Sequence, residues 1–401
     1  MPNRRDLFKL SAGAVTGAFL TPVPWRLIKD SSLWSENWPG IPIPARGEIH
    51  TKDVTCTLCP SACPLKARCV GDQPVSLSGA GCAFGTVAHH LPYHPARLRQ
   101  GPIEEARAKF AARKPDARVA ILDLSAAPVS YDLRQARTVI SVGSNLLDRS
   151  TPTRDFRLIH VGAIESATAK LADQWIRVAP GGEAAWLANP SINTDGATII
   201  TDEVPALDSV AEASIDYLLI DESSAQTYIP WHEVARTLAP GATVIAFTSS
   251  HGGYARHATY ALPTPIFPEG TLIPRPDGVI TLAEFARPWG GQSWPRVGNP
   301  AGARPVGTAT YLAPWTPPLT SPLMTKLYEE SNLRLQPNAV ALHPDEARDL
   351  APRATLQTRL GRCTVNVIAD PAVPRGAILA GSSPGIRDIV GRNESAKVVS
   401  L

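Results

Sequence analysis

The strongest constraint on this chain is a set of four cysteines: Cys56-x2-Cys59-x3-Cys63, with Cys82 nineteen residues further on. Three thiols on one tight loop and a fourth on a return segment can converge on one small volume, which is what an iron–sulfur cubane requires. Two other chemistries use similar residues. Zinc ribbons usually pair two Cys-x2-Cys knuckles, and here the second knuckle is missing; an exported chain can also oxidise its cysteines to disulfides. The spacing favours a [4Fe-4S] cluster on Cys56, Cys59, Cys63 and Cys82, and with it one-electron transfer. Cys69 and Cys363 read as small buried residues. His89, His90 and His94 follow closely and invite a metal reading, but such residues are more often solvated or hydrogen-bonded.

The first residues read as an address. Asn3-Arg4-Arg5-Asp6-Leu7-Phe8-Lys9 resembles the twin-arginine export signal, and Leu10 to Leu20 supplies a weakly apolar stretch behind it. That stretch is shorter than the roughly 20 residues that span a bilayer. The expectation is export by the twin-arginine route, with residues 1–30 as the signal and the folded protein at the outer face of the cytoplasmic membrane or in the periplasm. Elsewhere the chain is ordinary for a globular protein: net charge +3 over 401 residues, 19% charged and 44% hydrophobic. No concentrated basic tail marks a nucleic-acid partner.

From Glu48 to about Gln100 the chain is rich in Cys, Gly, Pro and His and short of apolar periods, so a metal centre would organise it. Ile103 to Lys114 suits a helix, acidic first and basic last. Four β-rich runs follow, 118–124, 138–143, 156–161 and 174–178, and with Ser166 to Asp173 as a helix they fit a largely parallel α/β sheet. A second α/β unit begins near Val204, with strands at 216–220 and 242–247 and a helix from His232 to Leu238 closed by Pro240-Gly241. The dense proline run from Pro263 to Pro322 predicts a partly extended connection over the surface or against a partner. The last unit, from about Pro337, reads as a small β domain.

These residues together resemble the molybdopterin oxidoreductase family. The likeness begins at the four cysteines and runs through Gly81-Cys82-Ala83-Phe84-Gly85 to Leu91-Pro92-Tyr93-His94-Pro95-Ala96-Arg97-Leu98. It resumes at Ile140-Ser-Val-Gly143-Ser144-Asn145, at Ala167 to Ala185, and at Val340 to Gly376. The resemblance implies an α/β protein with a small N-terminal [4Fe-4S] domain (45–100), shortened α/β molybdopterin-oxidoreductase-like domains (101–203 and 204–290), a Pro-rich connection (291–336) and a C-terminal six-stranded double-psi-type β-barrel (337–401). It also implies that Gly143, Ser144 and Asn145 would hold a nucleotide if a pterin were bound.

Two departures bear on function. The short link between Val119–Asp123 and Val139–Gly143 stands where catalytic members insert a large lobe bearing the molybdenum ligand, and Ser130 and Asp132 in that link do not resemble the ligand loop. Phe84 stands where many catalytic members place a lysine between cluster and pterin. The chain is similar to reduced relatives that keep the fold without molybdenum, such as the iron–sulfur electron-transfer subunit of alternative complex III or of polysulfide-reductase-like complexes. The implied partners are iron–sulfur and quinone-interacting membrane subunits of a respiratory complex, or a cytochrome c. The competing expectations are a compact molybdenum or tungsten bis-pterin oxidoreductase and a structural subunit with a fold-stabilising cluster.

Overall fold

The computed structural model describes residues 8–9, 11–13, 16–17 and the chain from 47 onward, except 59–62, 80, 82, 96, 124–132, 134, 144–154, 202–203, 206, 208, 224–228, 251–252, 291–292, 299, 302–310, 315–337, 382, 391–393 and 401. Residues 3–7 of the export motif, with Ser130 and Asp132, therefore lie outside the described residues, as do Cys59, Cys82, Ser144 and Asn145. Among the described residues no helix is long and apolar enough to cross a membrane.

The cysteine-rich segment forms a three-stranded antiparallel sheet of β1 (Ile49–Thr55), β2 (Pro64–Val70) and β3 (Gln73–Gly79), followed by α1 (Ala83–Val87) and a 3-10 turn at Ala88–Tyr93. Alternation along β2 turns Leu65, Ala67 and Cys69 inward. Those residues pack with Leu77, Ala88 and Leu91, and also with Ile266, Phe267 and Leu272 from much later in the chain. The proline-rich run thus begins as core rather than as a surface connection. Its apolar residues between the prolines fill a core that the cysteine segment is too short to complete alone.

Next come α2 (Ile103–Ala111), β4 (Val119–Asp123), β5 (Thr138–Val142), β6 (Arg157–Gly162), α3 (Ala167–Leu171), β7 (Gln174–Arg177), α4 (Glu183–Ala188), β8 (Thr198–Thr201) and β9 (Val204–Pro205). The later part holds β10 (Ile215–Asp221), α5 (Trp231–Thr237), β11 (Leu238–Thr248), β12 (Tyr260–Pro263), α6 (Leu282–Ala286), β13 (Arg296–Val297) and β14 (Pro300–Ala301), the last paired with β9. Two parallel sheets result, in the orders β7-β6-β5-β8 and β12-β11-β10-β4-β13. The run at 118–124, which the sequence groups with the three runs after it, pairs instead with β10 and β13. Both of its faces are apolar, so β4 needs cover on each side: Ala120 and Leu122 pack towards α5, Val119 and Ile121 towards α2 and α6. Such double burial is the mark of an interior parallel strand.

Helix α5 also ends earlier than expected. Leu238 is already extended, and Pro240-Gly241 lie inside β11, whose first residues stand outside the hydrogen-bonded centre of the sheet where proline is tolerated.

The C-terminal part closes into a barrel of β15 (Tyr311–Pro314), β16 (Ala339–Leu342), β17 (Arg353–Thr358), β18 (Gly361–Ala369), β19 (Ala377–Ala380) and β20 (Glu394–Ser400), with helices α7 (Pro344–Ala347) and α8 (Pro384–Ile389). Val340, Leu356, Val365 and Ile378 fill its interior, and Ile386 and Ile389 of α8 plug it.

One ion pair fastens the cysteine segment to this frame. Arg97 and Glu269 are 2% and 1% exposed and meet in a two-pronged contact, Nη2 to Oε2 at 2.7 Å and Nε to Oε1 at 3.2 Å. The remaining Arg97 donors reach the carbonyls of Leu98, Ser249 and Thr264. Glu269 also accepts from the backbone N–H of Ile266. Removing one partner leaves the other charge buried and uncompensated, so Arg97→Ala or Glu269→Ala is expected to cost about 3 to 5 kcal/mol, read by chemical denaturation.

Candidate metal centre and switch-point crevice

The pairing of Thr55 with Pro64 ends the β1–β2 ladder and makes 56–63 the hairpin loop, so three of the four cysteines share it by register. Cys56 and Cys63 are its first and last residues, and the Cys56 N–H donates to the Cys63 carbonyl at 2.9 Å. Cys56 is buried, Cys63 half-buried, and neither is in a disulfide. Across the loop lies α1. A Cβ on Gly85 would sit 3.6 Å from Cys56 Sγ, so the helix that begins directly after Cys82 packs its backbone against the first thiol. Among the described residues no group of three His, Cys, Asp or Glu gathers to hold a metal ion, and two of the four cysteines stand outside that set. The donor chemistry of the described half fits a cluster: thiols at the two ends of one loop, beside Leu65, Ala67 and Leu77. The side chain of Phe84 lies outside the description.

The other cysteines have no part in that loop. Cys69 faces the core of the same sheet, and burial raises its thiol above the ordinary range. Cys363 lies half-buried in the barrel, its thiol pushed up to about 11 by burial and by Asp388. His90 is exposed and His94 half-buried. His89 is buried against the ring of His90, with Nδ1 unpartnered, and burial followed by the His90 charge pushes it down to about 4. The 3-10 turn folds His89 inward, where backbone hydrogen bonds with Thr86 and Val75 oppose that shift.

Gly143 ends β5, the strand on one side of which the chain continues to β6 and β7 and on the other side of which β8 returns. In open parallel sheets the crevice at such a reversal, outside the carboxyl ends of the strands, is the usual ligand position. Gly143 takes φ +61°, a left-handed conformation that suits glycine. Its N–H donates to the Val161 carbonyl at 2.8 Å and so is not offered to a phosphate. The crevice holds a residue that sequence reading missed: Glu183 at the start of α4, whose Cγ would lie 3.5 Å from a Cβ on Gly143. Burial raises its carboxyl above the usual range, while hydrogen bonds from its own N–H and that of Ala163 oppose the rise. A carboxylate that occupies these amides makes the described crevice a poor fit for an anionic phosphate. Nothing but its position in the Gly-Gly-Glu turn marked Glu183 in the sequence.

His343, Arg348 and Arg353 of the barrel are also poor phosphate contacts. His343 caps α7 by accepting from the Asp345 N–H, Arg348 donates to Asp345, and Arg353 starts β17 of the barrel, exposed. Asp345 is further bonded by Arg375.

An α/β frame of two parallel sheets, an antiparallel cysteine sheet and a closed barrel is consistent with the molybdopterin oxidoreductase fold. No family model matches the chain. Its sequence is 21% identical over 267 residues to the menaquinone reductase, molybdopterin-binding-like subunit of Nitratidesulfovibrio vulgaris, a match covering 46% of this chain and 38% of that one. The match therefore spans well under half of that relative's length. In fold it resembles acetylene hydratase from Pelobacter acetylenicus, with a TM-score of 0.50 at 10% identity, covering 87% of this chain and 100% of that one. The first is a likeness over part of the sequence, the second a likeness of fold.

Replacing Gly143 by alanine forces a side chain into the left-handed region while meeting only ordinary contact from Glu183. The expected loss is about 1 to 2 kcal/mol of folding stability, measured by denaturant unfolding.

Proposed function

We propose that this chain is an exported electron-transfer subunit of a membrane-associated respiratory oxidoreductase complex, carrying one [4Fe-4S] cluster on Cys56, Cys59, Cys63 and Cys82. The observation that carries this reading is the hairpin whose loop is bounded by Cys56 and Cys63, with Gly85 of α1 packed on the first thiol. Cys56 and Cys63 would hold iron from two sides of the loop, and the apolar wall behind them would keep water from the sulfurs, a lever on reduction potential. The cluster, when bound, would supply single-electron transfer.

The printed name of the relative couples a quinone reductase with a subunit called molybdopterin-binding-like. That supports partners among iron–sulfur and quinone-interacting membrane subunits, or a cytochrome c. Export by the twin-arginine route at Arg4 and Arg5 would place the subunit at the periplasmic face. We read the chain as lacking a molybdenum site of its own: Glu183 and the committed N–H of Gly143 support this, as does the short link in the sequence. The competing reading, a compact molybdenum or tungsten bis-pterin enzyme acting on a small inorganic or one-carbon substrate, is favoured by the switch-point position of Gly143. A purely structural role for the cluster is the third.

Metal analysis of anaerobically purified protein separates these. The expected result is about four iron atoms per chain without molybdenum, tungsten or extractable pterin; stoichiometric molybdenum would sink the proposal. An electron-paramagnetic-resonance signal reversibly produced by a quinol-linked donor separates a redox role from a structural one. Cys56→Ser, Cys59→Ser, Cys63→Ser and Cys82→Ser should each lower iron content, whereas Cys69→Ser and Cys363→Ser should not. Changing Arg4 and Arg5 together to lysine should leave iron-loaded protein in the cytoplasm, scored by cell fractionation.

A further inference from the structure

The parallel sheet that carries β4 and β10 has a second acidic group at its carboxyl edge. Glu222 follows the last residue of β10, and its N–H donates to the Phe247 carbonyl of β11 at 2.9 Å, which fixes its backbone between those strands. The residue as a whole stays partly exposed, while its carboxyl group is enclosed. Oε2 is buried and has no hydrogen-bond partner among the described residues. The carboxyl group is nevertheless held: the Thr248 hydroxyl and the Tyr254 N–H are within hydrogen-bond reach. Gly253 comes so close that a Cβ there would fall 1.9 Å from Oε1, and its φ of +60° suits glycine. The position is therefore shaped around a carboxyl group, yet leaves one of its oxygens dry and unpaired.

Around this carboxyl runs the seam between the sheet and the barrel. Arg256, on the 3-10 turn after β11, and Arg387, on α8 of the barrel, both act on Glu222 by charge. Arg256 also donates to Asp388 of α8 at 3.2 Å, and His257 lies 3.0 Å from the same Asp388 oxygen, its ring stacked on Trp231. Two further contacts hold the seam from α5: Glu233 with Arg359, and His232 with the Leu360 carbonyl.

We propose that Glu222 is a proton-binding switch at this seam, neutral when the barrel is closed on the sheet and, on ionising, opening the seam to water. A neutral carboxylic acid tolerates a dry, unpaired oxygen; a carboxylate there must gain a cation or water. Asp388 already engages Arg256, so ionisation sets Glu222 against Asp388 for that arginine and weakens its hold on α8. Burial is the main cause pushing the Glu222 carboxyl up to about 7, with Thr248, the Tyr254 N–H, Arg387 and Arg256 opposing it. The folded carboxyl thus binds its proton more tightly than the unfolded chain does. The folded state loses stability as pH rises from the ordinary carboxylate range through about 7, and the loss is complete above that. The other seam groups, His257, Asp388, Glu233 and His232, are unchanged in the variants below and serve as their background.

Hydrogen exchange of the intact chain at about pH 5.5 and about pH 8, corrected for intrinsic rates, reads the seam. Peptides covering 253–257 and 384–390 in the wild type should exchange several-fold faster at the higher pH, while Glu222→Gln keeps its low-pH protection throughout. Parallel behaviour of wild type and Glu222→Gln overturns the proposal. Should that variant fail to fold, infrared titration of the wild type decides. A protonated carboxyl band that vanishes near neutral pH and is moved by Gly253→Ala, as a Glu183 band would not be, supports the switch, and its absence sinks it. Gly253→Ala, which displaces the carboxyl group, should return that band to the ordinary range.

Discussion

The buried pair of Arg97 and Glu269 is the contact on which the arrangement depends. Arg97 lies just beyond the cysteine segment, and its guanidinium is met by carbonyls of Ser249 and Thr264, residues that directly follow β11 and β12. Its backbone pairs with Ser250, and the Leu98 N–H donates to Ser249. One side chain therefore spans the carboxyl ends of two neighbouring strands and pins the cysteine sheet there. A desolvated ion pair of this kind contributes little net stability over apolar packing, but it tolerates few alternative geometries. Its planar fork, fully engaged by acceptors, sets position more than it adds energy.

The barrel meets the carboxyl ends of the four-stranded sheet. A Cβ on Gly376 would touch Pro180 beyond β7, and Ile164 beyond β6 packs on barrel residues Ala341, Val373 and Ala377. Glu233 and His232 bind the barrel turn at Arg359 and Leu360. The carboxyl ends of both parallel sheets thus face added units, and two carboxyls raised by burial, Glu183 and Glu222, lie along them. In a parallel sheet this edge gathers backbone donors and favours anions. Here part of that capacity is spent on the chain's own acids.

Much of this was legible in the sequence because it rests on spacing and period. The convergence of three cysteines on one loop follows from their spacing, and the apolar runs at 118–124 and 216–220 announce parallel strands, whereas the two strands that flank the cysteine loop were not legible. Strand order was not legible: β4 and β5 are both apolar on each face, and nothing in either states which neighbour it takes. Glu269, Glu183 and Glu222 were invisible for a different reason. Each is a single acid in an unremarkable local context, and its role comes from residues far off in the chain, Arg97, Gly143 and Gly253 in turn. Proline density misled from Pro263 onward. Proline forbids regular helix, but Ile266, Phe267 and Leu272 between the prolines remain free to be core.

That last point bears on how a cluster would be assembled. The cysteine sheet exposes nearly all of β1 and buries one face of β2, so its own apolar core is small. It is completed by residues 266, 267 and 272, and its position is set by Glu269 in the same stretch. Those residues follow β12, the edge strand of the five-stranded sheet. A small metal domain that folds alone would bind iron wherever it was made. This one borrows core from Ile266, Phe267 and Leu272, far later in the chain, so the thiols at the ends of the 56–63 loop are held in place by a folded chain. On the proposed reading, the cluster would be inserted into a nearly complete fold, before export. That order matches a translocation route for folded proteins, and it makes the packing of Ile266 and Phe267 as much a condition for holding iron as the cysteines themselves.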